Sequence, residues 1–345
     1  MRVAIAGAGL MGRWHAYYAR CSGASIVGIA DPGRPAAELQ RRFRGSAVFQ
    51  DTAPLLDALT PDVLHVCTPA GTHEGIIETA LDAGVHLLVE KPLAFTARTT
   101  ERLVAKAAER RVLLAPVHQY VFQDGIVRAD GWLPRIGTPL HFDATICSAG
   151  GSHLHENQLD DLAADILPHP LALLDHFFPG AFASVDWTHV RTQSGEWRIV
   201  GATRGATPDP AVSVSILVSL HGRPTQSSLR LTGTSGTIHM DLFHGFAVLE
   251  PGGVSRAKKI AHPFTLAGRT LQAAGCNLTR RMVHREPAYP GLRRLIGRFY
   301  NAVRQGTGGP VSGEHVVGVA RMRDCLMAMA AGTGSEKLLD NPMNS

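Results

Sequence analysis

The beginning of the chain alternates short, continuous apolar runs with segments whose apolar residues recur at helical spacing. Helical spacing is found in Gly75–Ala83 and Ala97–Arg110, and the apolar runs are Val3–Ala6, Ser25–Ala30, Val63–Cys67, His86–Val89 and Val112–Val117. Strands that are apolar throughout and are separated by helices are typical of a parallel sheet covered on both faces. The pattern predicts a doubly wound α/β domain over residues 1–118.

The pattern changes after residue 118, where strand-like runs follow one another directly. They are Leu140–Ile146, Ala183–Val190, Arg198–Thr203, Val212–Leu220, Ser227–Leu231 and Thr237–Met240, with one convincing helix near Pro168–Phe178. Consecutive strands without crossover helices predict a mainly antiparallel sheet. Helical spacing returns at about 290–305 and 313–331, so we predict a second, α+β domain over residues 119–335.

Composition supports a globular protein of two domains. The chain has 345 residues, of which 45% are hydrophobic and 18% charged, and no run reaches the roughly 18 apolar residues of a membrane span. The first residues look like a buried strand rather than a signal peptide. None of the five cysteines forms a CxxC pair, which argues against a disulfide framework or a structural zinc site and favours a reducing, cytoplasmic location.

The net charge of +5 comes largely from a cluster of arginines: Arg280, Arg281, Arg285, Arg293, Arg294 and Arg298. Such a cluster can bind nucleic acid or another anionic surface, or it can be a solvated helix face. Because no nucleic-acid motif accompanies it, we favour the solvated face and expect neither a nucleic acid nor a membrane as partner.

A glycine motif follows the first predicted strand. Gly7-Ala8-Gly9-Leu10-Met11-Gly12 matches G-x-G-x-x-G and opens a helical segment, which is the context that a dinucleotide site requires. Gly7 would allow the tight turn, Gly9 the approach of a pyrophosphate and Gly12 close packing of helix on strand. The helix start at Leu10 and Met11 would offer free amides to the phosphates. The alternative is a glycine turn without a ligand.

Asp31 ends the second predicted strand, 19 residues beyond Gly12. A carboxylate there can accept hydrogen bonds from the ribose hydroxyls of NAD and would repel a 2′-phosphate. Arg34 in the same loop could instead pair with that phosphate. We favour NAD over NADP.

Three further segments carry a family resemblance, which spans nearly the whole chain. They are Cys67-Thr68-Pro69-Ala70-Gly71-Thr72-His73, Glu90-Lys91-Pro92 and Asp165-Ile166-Leu167-Pro168-His169, and Gly306–Gly318 adds to them. Together with the glycine motif they resemble the glucose-fructose oxidoreductase / inositol dehydrogenase / rhizopine-catabolism (Gfo/Idh/MocA) family. The resemblance implies a Rossmann domain followed by an open-faced, mainly antiparallel sheet domain. It also implies hydride transfer between NAD(P) and a hydroxyl or carbonyl carbon of a sugar, inositol or related polyol, in a homodimer or homotetramer.

The resemblance extends the cofactor contacts to Thr68, Pro69, His73, Glu90, Lys91 and Gln119. Elementary topology agrees, because ligands of an open α/β sheet bind beyond the carboxyl ends of its strands. Asp31, Thr68, His73, Lys91 and His118 all follow such ends.

Oxidation of an alcohol requires a group that removes the hydroxyl proton. We predict that Lys91 and His169 flank the reacting C–O group and that Asp165 supports them, since burial can lower the pKa of a lysine and histidine titrates near neutral pH. The alternatives are that Lys91 pairs with Glu90 at the surface, that Asp165 only caps a helix ahead of Pro168, and that His169 is structural.

Departures from the family pattern fall on the substrate side. Leu167 replaces a glycine, Ala172 replaces a carboxylate while Asp175 lies three residues later, and no arginine follows the sixth strand. We predict substrate contacts from His118, Tyr120, His153 and His155, the last two in a lid loop from Ser148 to Asp161. The spacing of these histidines matches no standard metal site, so no metal is expected.

Two other functions remain open at this point. A lyase or glycosidase could use bound NAD for transient oxidation and elimination, and it would turn over without net NADH. A non-catalytic NAD(P)-binding regulator is the other alternative, although such a sensor would not need both Lys91 and His169.

Overall fold

Two β-sheets organise the computed structural model, which describes residues 1–148, 151, 156–180, 185–192, 195–203, 211–253 and 256–330. The first sheet is parallel, in the order β3-β2-β1-β4-β5-β6. Its strands are β1 Arg2–Ala6, β2 Ser25–Ala30, β3 Ala47–Phe49, β4 Val63–Val66, β5 His86–Val89 and β6 Leu114–Pro116. The helices that cover it are α1 Leu10–Cys21, α2 Arg34–Arg42, α3 Thr52–Leu59, α4 His73–Asp82 and α5 Ala97–Glu109.

This first unit confirms the predicted doubly wound sheet. Every residue of β4 is buried, as expected for a central strand with helices on both faces. The strand order reverses between β1 and β4. In such sheets the ligand crevice opens where the order reverses, so the carboxyl ends of these two strands mark the place for a cofactor.

The second sheet has the order β13-β12-β11-β7-β10-β9-β8. Its strands are β7 Pro139–Cys147, β8 Val185–Arg191, β9 Glu196–Thr203, β10 Ser213–Ser219, β11 Gln226–Gly233, β12 Gly236–Asp241 and β13 Phe246–Pro251. Neighbouring strands are antiparallel except for the parallel pair β7 and β10. Buried and accessible residues alternate along the strands, so one face packs on a core while the other is open, as predicted.

Six helices of the described chain accompany the second sheet or return from it. They are α6 Asp124–Trp132, α7 Glu156–Ile166, α8 Pro168–Phe177, α9 Arg256–Val283, α10 Leu292–Gln305 and α11 Gly313–Ala330. Helix α10 returns to the first unit, where its Leu295, Ile296, Phe299 and Tyr300 join the core formed with β1 and α1. Helix α11 packs against both α5 and α8. The division at residue 118 stays a prediction, but the core of the first unit clearly includes α10.

Four parts of the second unit were not predicted. Helix α7 begins at Glu156, so the expected lid loop from Ser148 to Asp161 is wrong over its last six residues, while His153 and His155 lie outside the described residues. The polar start of α7 hid its apolar positions Leu159 and Ala163, which are buried. Helix α6, strand β13 and helix α9 were also missed.

The arginine cluster is only partly a solvated helix face. Arg280 and Arg294 both pair with the carboxylate of Asp124 on α6. Arg281 donates to the carbonyl oxygens of Glu286 and Pro287. These contacts fasten α9 and α10 to the rest of the protein, so the cluster has a structural use.

Candidate active site

The three motif glycines meet different surroundings. Gly7 has φ +88°, and a Cβ there would lie 2.6 Å from the carbonyl oxygen of Cys67. A Cβ on Gly12 would lie 1.9 Å from the carbonyl oxygen of Gly7. By contrast, a Cβ on Gly9 would meet no described atom within 4 Å. The first and third glycines are therefore required by the fold, whereas Gly9 keeps space open outside it.

The start of α1 faces that space. Its N-cap is Gly9, which makes no side-chain capping bond, and Leu10 at the first position is exposed. The first amides of a helix lack partners within the helix and attract anions. Together with Met11 this turn can hold the phosphates of a dinucleotide.

Asp31 lies directly after β2 and shapes the same turn. Its two carboxylate oxygens accept hydrogen bonds from the amides of Ala8 and Gly33, both at 2.7 Å. A carboxylate oxygen has a second lone pair, so Asp31 remains able to accept a further hydrogen bond from a ribose hydroxyl. The side chain of Arg34 lies outside the described residues.

His73 joins the loops that follow β4 and β5. Its Nε2 lies 2.9 Å from the carbonyl oxygen of Thr68 and its Nδ1 lies 2.9 Å from that of Pro92. Both carbonyls accept only if both ring nitrogens carry a proton. Since His73 is buried, it positions Thr68, Pro69 and the Pro92 loop at the crevice.

Lys91 follows β5 and binds Asp165. Its ammonium donates 2.6 Å to Oδ2 and 2.8 Å to the carbonyl oxygen of that residue. Lys91 is therefore not paired with Glu90. Asp165 is also not the cap of α8, because that position belongs to Leu167, which makes no side-chain capping bond.

His169 lies in the first turn of α8 and stacks on Tyr120, with ring centroids 4.4 Å apart and planes at 17°. Asp165 lies near the end of α7, so the two residues meet at a helix junction rather than on one helical face. Burial, reinforced by the charge of Lys91, holds the pKa of His169 well below its usual range. The expectation of a histidine that titrates near neutral pH is wrong, because His169 stays neutral there.

His118, which the sequence predicted as a substrate contact, begins a hydrogen-bonded chain of three residues that the sequence did not reveal. His118 Nδ1 is 3.1 Å from His315 Nε2, and His315 Nδ1 bonds Asp175 Oδ2. If Asp175 is ionised, His315 donates to it through Nδ1–H and accepts from His118 through Nε2. His118 then keeps a lone pair on Nε2. Burial, followed by the charges of His315, His169 and Lys91, holds the pKa of His118 well below its usual range.

A second buried chain reaches Glu90. His15 Nε2 lies 3.0 Å from Glu90 Oε1, the Nδ1 atoms of His15 and His65 are 2.9 Å apart, and His65 Nε2 is 2.9 Å from the hydroxyl of Tyr300. With an ionised Glu90 and neutral imidazoles, every hydrogen bond is satisfied in one direction: the tyrosine donates to His65, His65 to His15, and His15 to the carboxylate. A histidine inside an otherwise apolar strand was the only signal of this chain in the sequence.

Gln119, a predicted cofactor contact, follows β6. Gln119 is buried, and its Oε1 lacks a hydrogen-bond partner in the described protein, so a bound donor would satisfy it.

Within the described ranges, no three His, Cys, Asp or Glu side chains are grouped as a metal site requires. No described helix is both long and apolar enough to cross a membrane.

Comparison with known proteins agrees with this geometry. Residues 1–118 match the family model GFO_IDH_MocA, an oxidoreductase family with an NAD-binding Rossmann fold. Inositol 2-dehydrogenase 4 of Saccharopolyspora erythraea is 36% identical over 118 residues, covering 33% of this chain and 35% of that protein. UDP-N-acetylglucosamine 3-dehydrogenase of Acidithiobacillus ferrooxidans is 35% identical over 137 residues, covering 36% of this chain and 42% of that protein. The chain thus aligns with less than half of the length of these curated relatives.

The likeness in fold is more extensive than the likeness in sequence. A solved levoglucosan dehydrogenase, in complex with NADH and levoglucosan, superposes with a TM-score of 0.74 over 97% of this chain and 98% of its own, at 19% identity. Both sheets therefore have counterparts in a known fold. Residues 1–118 thus match the model of the family that the sequence motifs resemble, an oxidoreductase family with an NAD-binding Rossmann fold.

Proposed function

We propose that the protein is an NAD-dependent dehydrogenase or reductase that acts on a ring hydroxyl or carbonyl of a sugar, inositol or related polyol. The observation that supports this most is the Lys91–Asp165 ion pair, which holds an ammonium at the carboxyl end of β5, two strands from the glycine turn on the same edge of the sheet.

The cofactor residues of the proposal fall into three groups. Gly9, Leu10 and Met11 would bind the pyrophosphate, and Asp31 the adenosine ribose. Thr68, Pro69, Glu90 and Gln119 would contact the nicotinamide half. When bound, NAD supplies the hydride acceptor. We infer a preference for NAD because two backbone amides hold the carboxylate of Asp31 at the end of β2, and a carboxylate at that place in a Rossmann fold would repel a 2′-phosphate.

Lys91 is proposed to bind the reacting oxygen. Asp165 uses two of the three N–H donors of its ammonium, and the third can donate to the substrate. The lysine side chain is mostly buried whereas that of Asp165 is about half exposed. An ammonium in such a place stabilises the negative charge that develops on an alcohol oxygen as its proton leaves.

His169 is proposed as the group that takes this proton. Because burial and Lys91 keep its pKa low, the ring is neutral and has a free lone pair before reaction. Stacking on Tyr120 fixes the plane of the ring. In the reverse direction the imidazolium would return the proton to the alkoxide.

His118 is the second candidate acceptor in the same place. The chain through His315 to Asp175 orients its Nε2 lone pair and would stabilise the ring once it is protonated. His118 lies at the end of β6, one strand from Lys91. We therefore infer that it contacts substrate, or receives the proton from His169.

The substrate class is supported by the names of the relatives. The proteins that this chain resembles act on inositol, UDP-N-acetylglucosamine and levoglucosan, all of which carry several ring hydroxyls. The histidines of the site provide the polar donors and acceptors that such a substrate needs.

The test is a panel of inositols, sugars, anhydrosugars and nucleotide sugars, followed by NADH and NADPH absorbance. Net NADH formation with at least one of them is expected, and turnover without net NADH would point instead to the lyase or glycosidase mechanism. Lys91→Ala should lower kcat about 10²–10⁴-fold and leave the Kd for NAD nearly unchanged in calorimetry. Lys106→Ala is the control, since this lysine pairs with Asp82 on the surface.

Gly9→Ala tests the cofactor site independently of the substrate. The added Cβ meets open space in the protein, so the melting temperature should stay within a few degrees of wild type while NAD binding is lost. Purified protein that binds no pyridine nucleotide, or a Lys91→Ala variant with full activity, would contradict the proposal.

A further inference from the structure

Residues 284–291, which connect α9 to α10, have an unusual backbone conformation. Arg285, Tyr289 and Gly291 have φ values of +51°, +48° and +90°. A left-handed backbone is ordinary for glycine but uncommon for a bulky residue such as tyrosine. Such strain persists only where the surrounding structure imposes it, and it is concentrated at binding and active sites. Tyr289 is therefore the residue of this connection for which a function is expected.

Hydrogen bonds on both sides of Tyr289 impose this conformation. Tyr18 of α1 donates from its hydroxyl to the carbonyl oxygen of Ala288. The amide of Gly291 donates to the carboxylate of Glu286 at 3.0 Å. The backbone of the connection is thus fixed by the protein itself, and the side chain of Tyr289 is presented in a defined place.

The ring of Tyr289 lies against the helix that follows the glycine turn. It packs on Trp14, with ring centroids 5.8 Å apart. Trp14 lies four residues after Leu10, on the same face of α1, and Tyr289 borders the same core as Met11. Tyr289 is therefore close to the turn of α1 that we assign to the pyrophosphate.

The connection also reaches residues from the other side of the crevice. A Cβ on Gly291 would lie 2.2 Å from the carbonyl oxygen of Gln119, which follows β6. Burial, followed by the charge of Glu90, raises the pKa of the Tyr289 hydroxyl, so Glu90 at the end of β5 is close as well. Since β4 lies between β1 and β5, Tyr289 lies beside the crevice that opens at the end of β4.

The hydroxyl of Tyr289 is available for a ligand. The neighbouring hydroxyls of Tyr17 and Tyr18 donate to the carbonyl oxygens of Arg285 and Ala288, whereas that of Tyr289 has no hydrogen-bond partner within the described part of the chain. Its raised pKa keeps the hydroxyl protonated at neutral pH. A half-buried donor without a partner is suited to a bound acceptor.

We propose that Tyr289 binds the dinucleotide, with its hydroxyl donating to an oxygen of the pyrophosphate or of the nicotinamide ribose. Residues 284–291 would then form a third wall of the cofactor site, beside the glycine turn and the loops that follow β4 and β5. The proposal rests on the proposed NAD site. It adds a residue that lies outside the glycine motif and outside the family segments of the sequence.

The test is calorimetric titration of the full chain with NAD, ADP-ribose and ADP. Tyr289→Phe keeps the ring and removes a hydroxyl that the described protein does not use, so the melting temperature of the free protein should stay within about 2 °C of wild type. The Kd for NAD and for ADP-ribose should rise about 5–50-fold. An equal loss with ADP would assign the contact to the pyrophosphate, and a loss confined to NAD and ADP-ribose would assign it to the nicotinamide ribose.

Tyr17→Phe is the matched control. Tyr17 also packs on Trp14, but its hydroxyl donates to the carbonyl oxygen of Arg285, so the Kd for NAD should stay within about twofold of wild type. An equal loss of affinity in both variants would show that the tyrosines act through packing and would overturn the proposed hydrogen bond.

The remaining outcomes separate this proposal from the proposed function. Wild-type affinity of Tyr289→Phe for NAD and ADP-ribose would overturn the role of Tyr289 and leave the enzyme assignment intact. A wild-type protein that binds no pyridine nucleotide would overturn both. Thermal unfolding gives a second measurement, because saturating NAD should raise the melting temperature of Tyr289→Phe less than that of wild type at the same concentration.

Discussion

The buried hydrogen-bond chain from Tyr300 to Glu90 leads to a specific prediction about the hydroxyl group of Tyr300, which lies far from solvent. Tyr300→Phe removes that hydroxyl and retains the ring, which is fully buried in the core of the first unit. Burial holds the pKa of Tyr300 well above its usual range, so the hydroxyl is protonated and donates to His65 Nε2. The substitution leaves this nitrogen buried without a donor.

The expected cost follows from that unpaired nitrogen. A buried acceptor without a partner costs about 1–3 kcal/mol, whereas no cavity is created because the ring stays. Moving the proton of His65 to Nε2 gives no recovery, because that N–H would then be buried without an acceptor, and the bond to His15 would also require His15 to donate from Nδ1. We expect the free energy of unfolding to fall by about 1–3 kcal/mol.

The assay is denaturant unfolding of the wild type, Tyr300→Phe and a control. Tyr17→Phe is the control, because its hydroxyl donates to the carbonyl oxygen of Arg285 at the surface, and its loss should cost at most about 0.5 kcal/mol. If Tyr300→Phe costs no more than Tyr17→Phe, the one-directional hydrogen-bond chain is refuted.

Three further predictions rest on other parts of the molecule. The pKa values of His65, His118 and His169 are all held well below their usual range by burial. The unfolded chain therefore takes up protons below about pH 6.5 that the folded protein does not, and stability should fall by about 1.4 kcal/mol per pH unit for each histidine. Unfolding free energies between pH 7.5 and 5.5 check this; His169→Asn should reduce the slope, and a flat profile would contradict the assignment. Asp31→Ser should lower the ratio of NAD to NADP affinity at least about tenfold in calorimetry, and an unchanged ratio would remove Asp31 from cofactor choice. A fragment of residues 1–118 should fail to unfold cooperatively, because it lacks the α10 side chains of its core; a sharp melting transition would show that it folds alone.

Elements whose pattern is local were predicted well. The parallel strands were visible because burial on both faces makes each of them apolar throughout, as in Val63–Val66. The glycine turn was visible because steric demands at Gly7 and Gly12 leave no other residue possible. Helix α7 was missed, since its buried positions are few and its first residues are polar.

The site was predicted where its residues follow strand ends or belong to a family motif. Lys91 and Asp165 were both found through family motifs, and topology agrees for Lys91 because it lies beyond β5; the ion pair between them supports both positions. His315 and Tyr300 come from helices far along the chain, and no local pattern relates them to His118 or His65. Contacts between distant segments depend on how the helices return, which spacing along the sequence does not reveal.

The two returning helices explain why the second unit influences the first. Helix α10 places Tyr300 behind Glu90, and helix α11 places His315 behind His118. Arg323 of α11 is buried and donates to the carbonyl oxygens of Ala94 and Phe95, in the loop that follows Lys91 and Pro92. Glu90, His118 and the loop after Pro92 are therefore oriented by groups from the last 60 residues of the chain as well as by their own strands. A substitution in α10 or α11 should change the geometry of the cofactor edge, because these helices hold the side chains that face it.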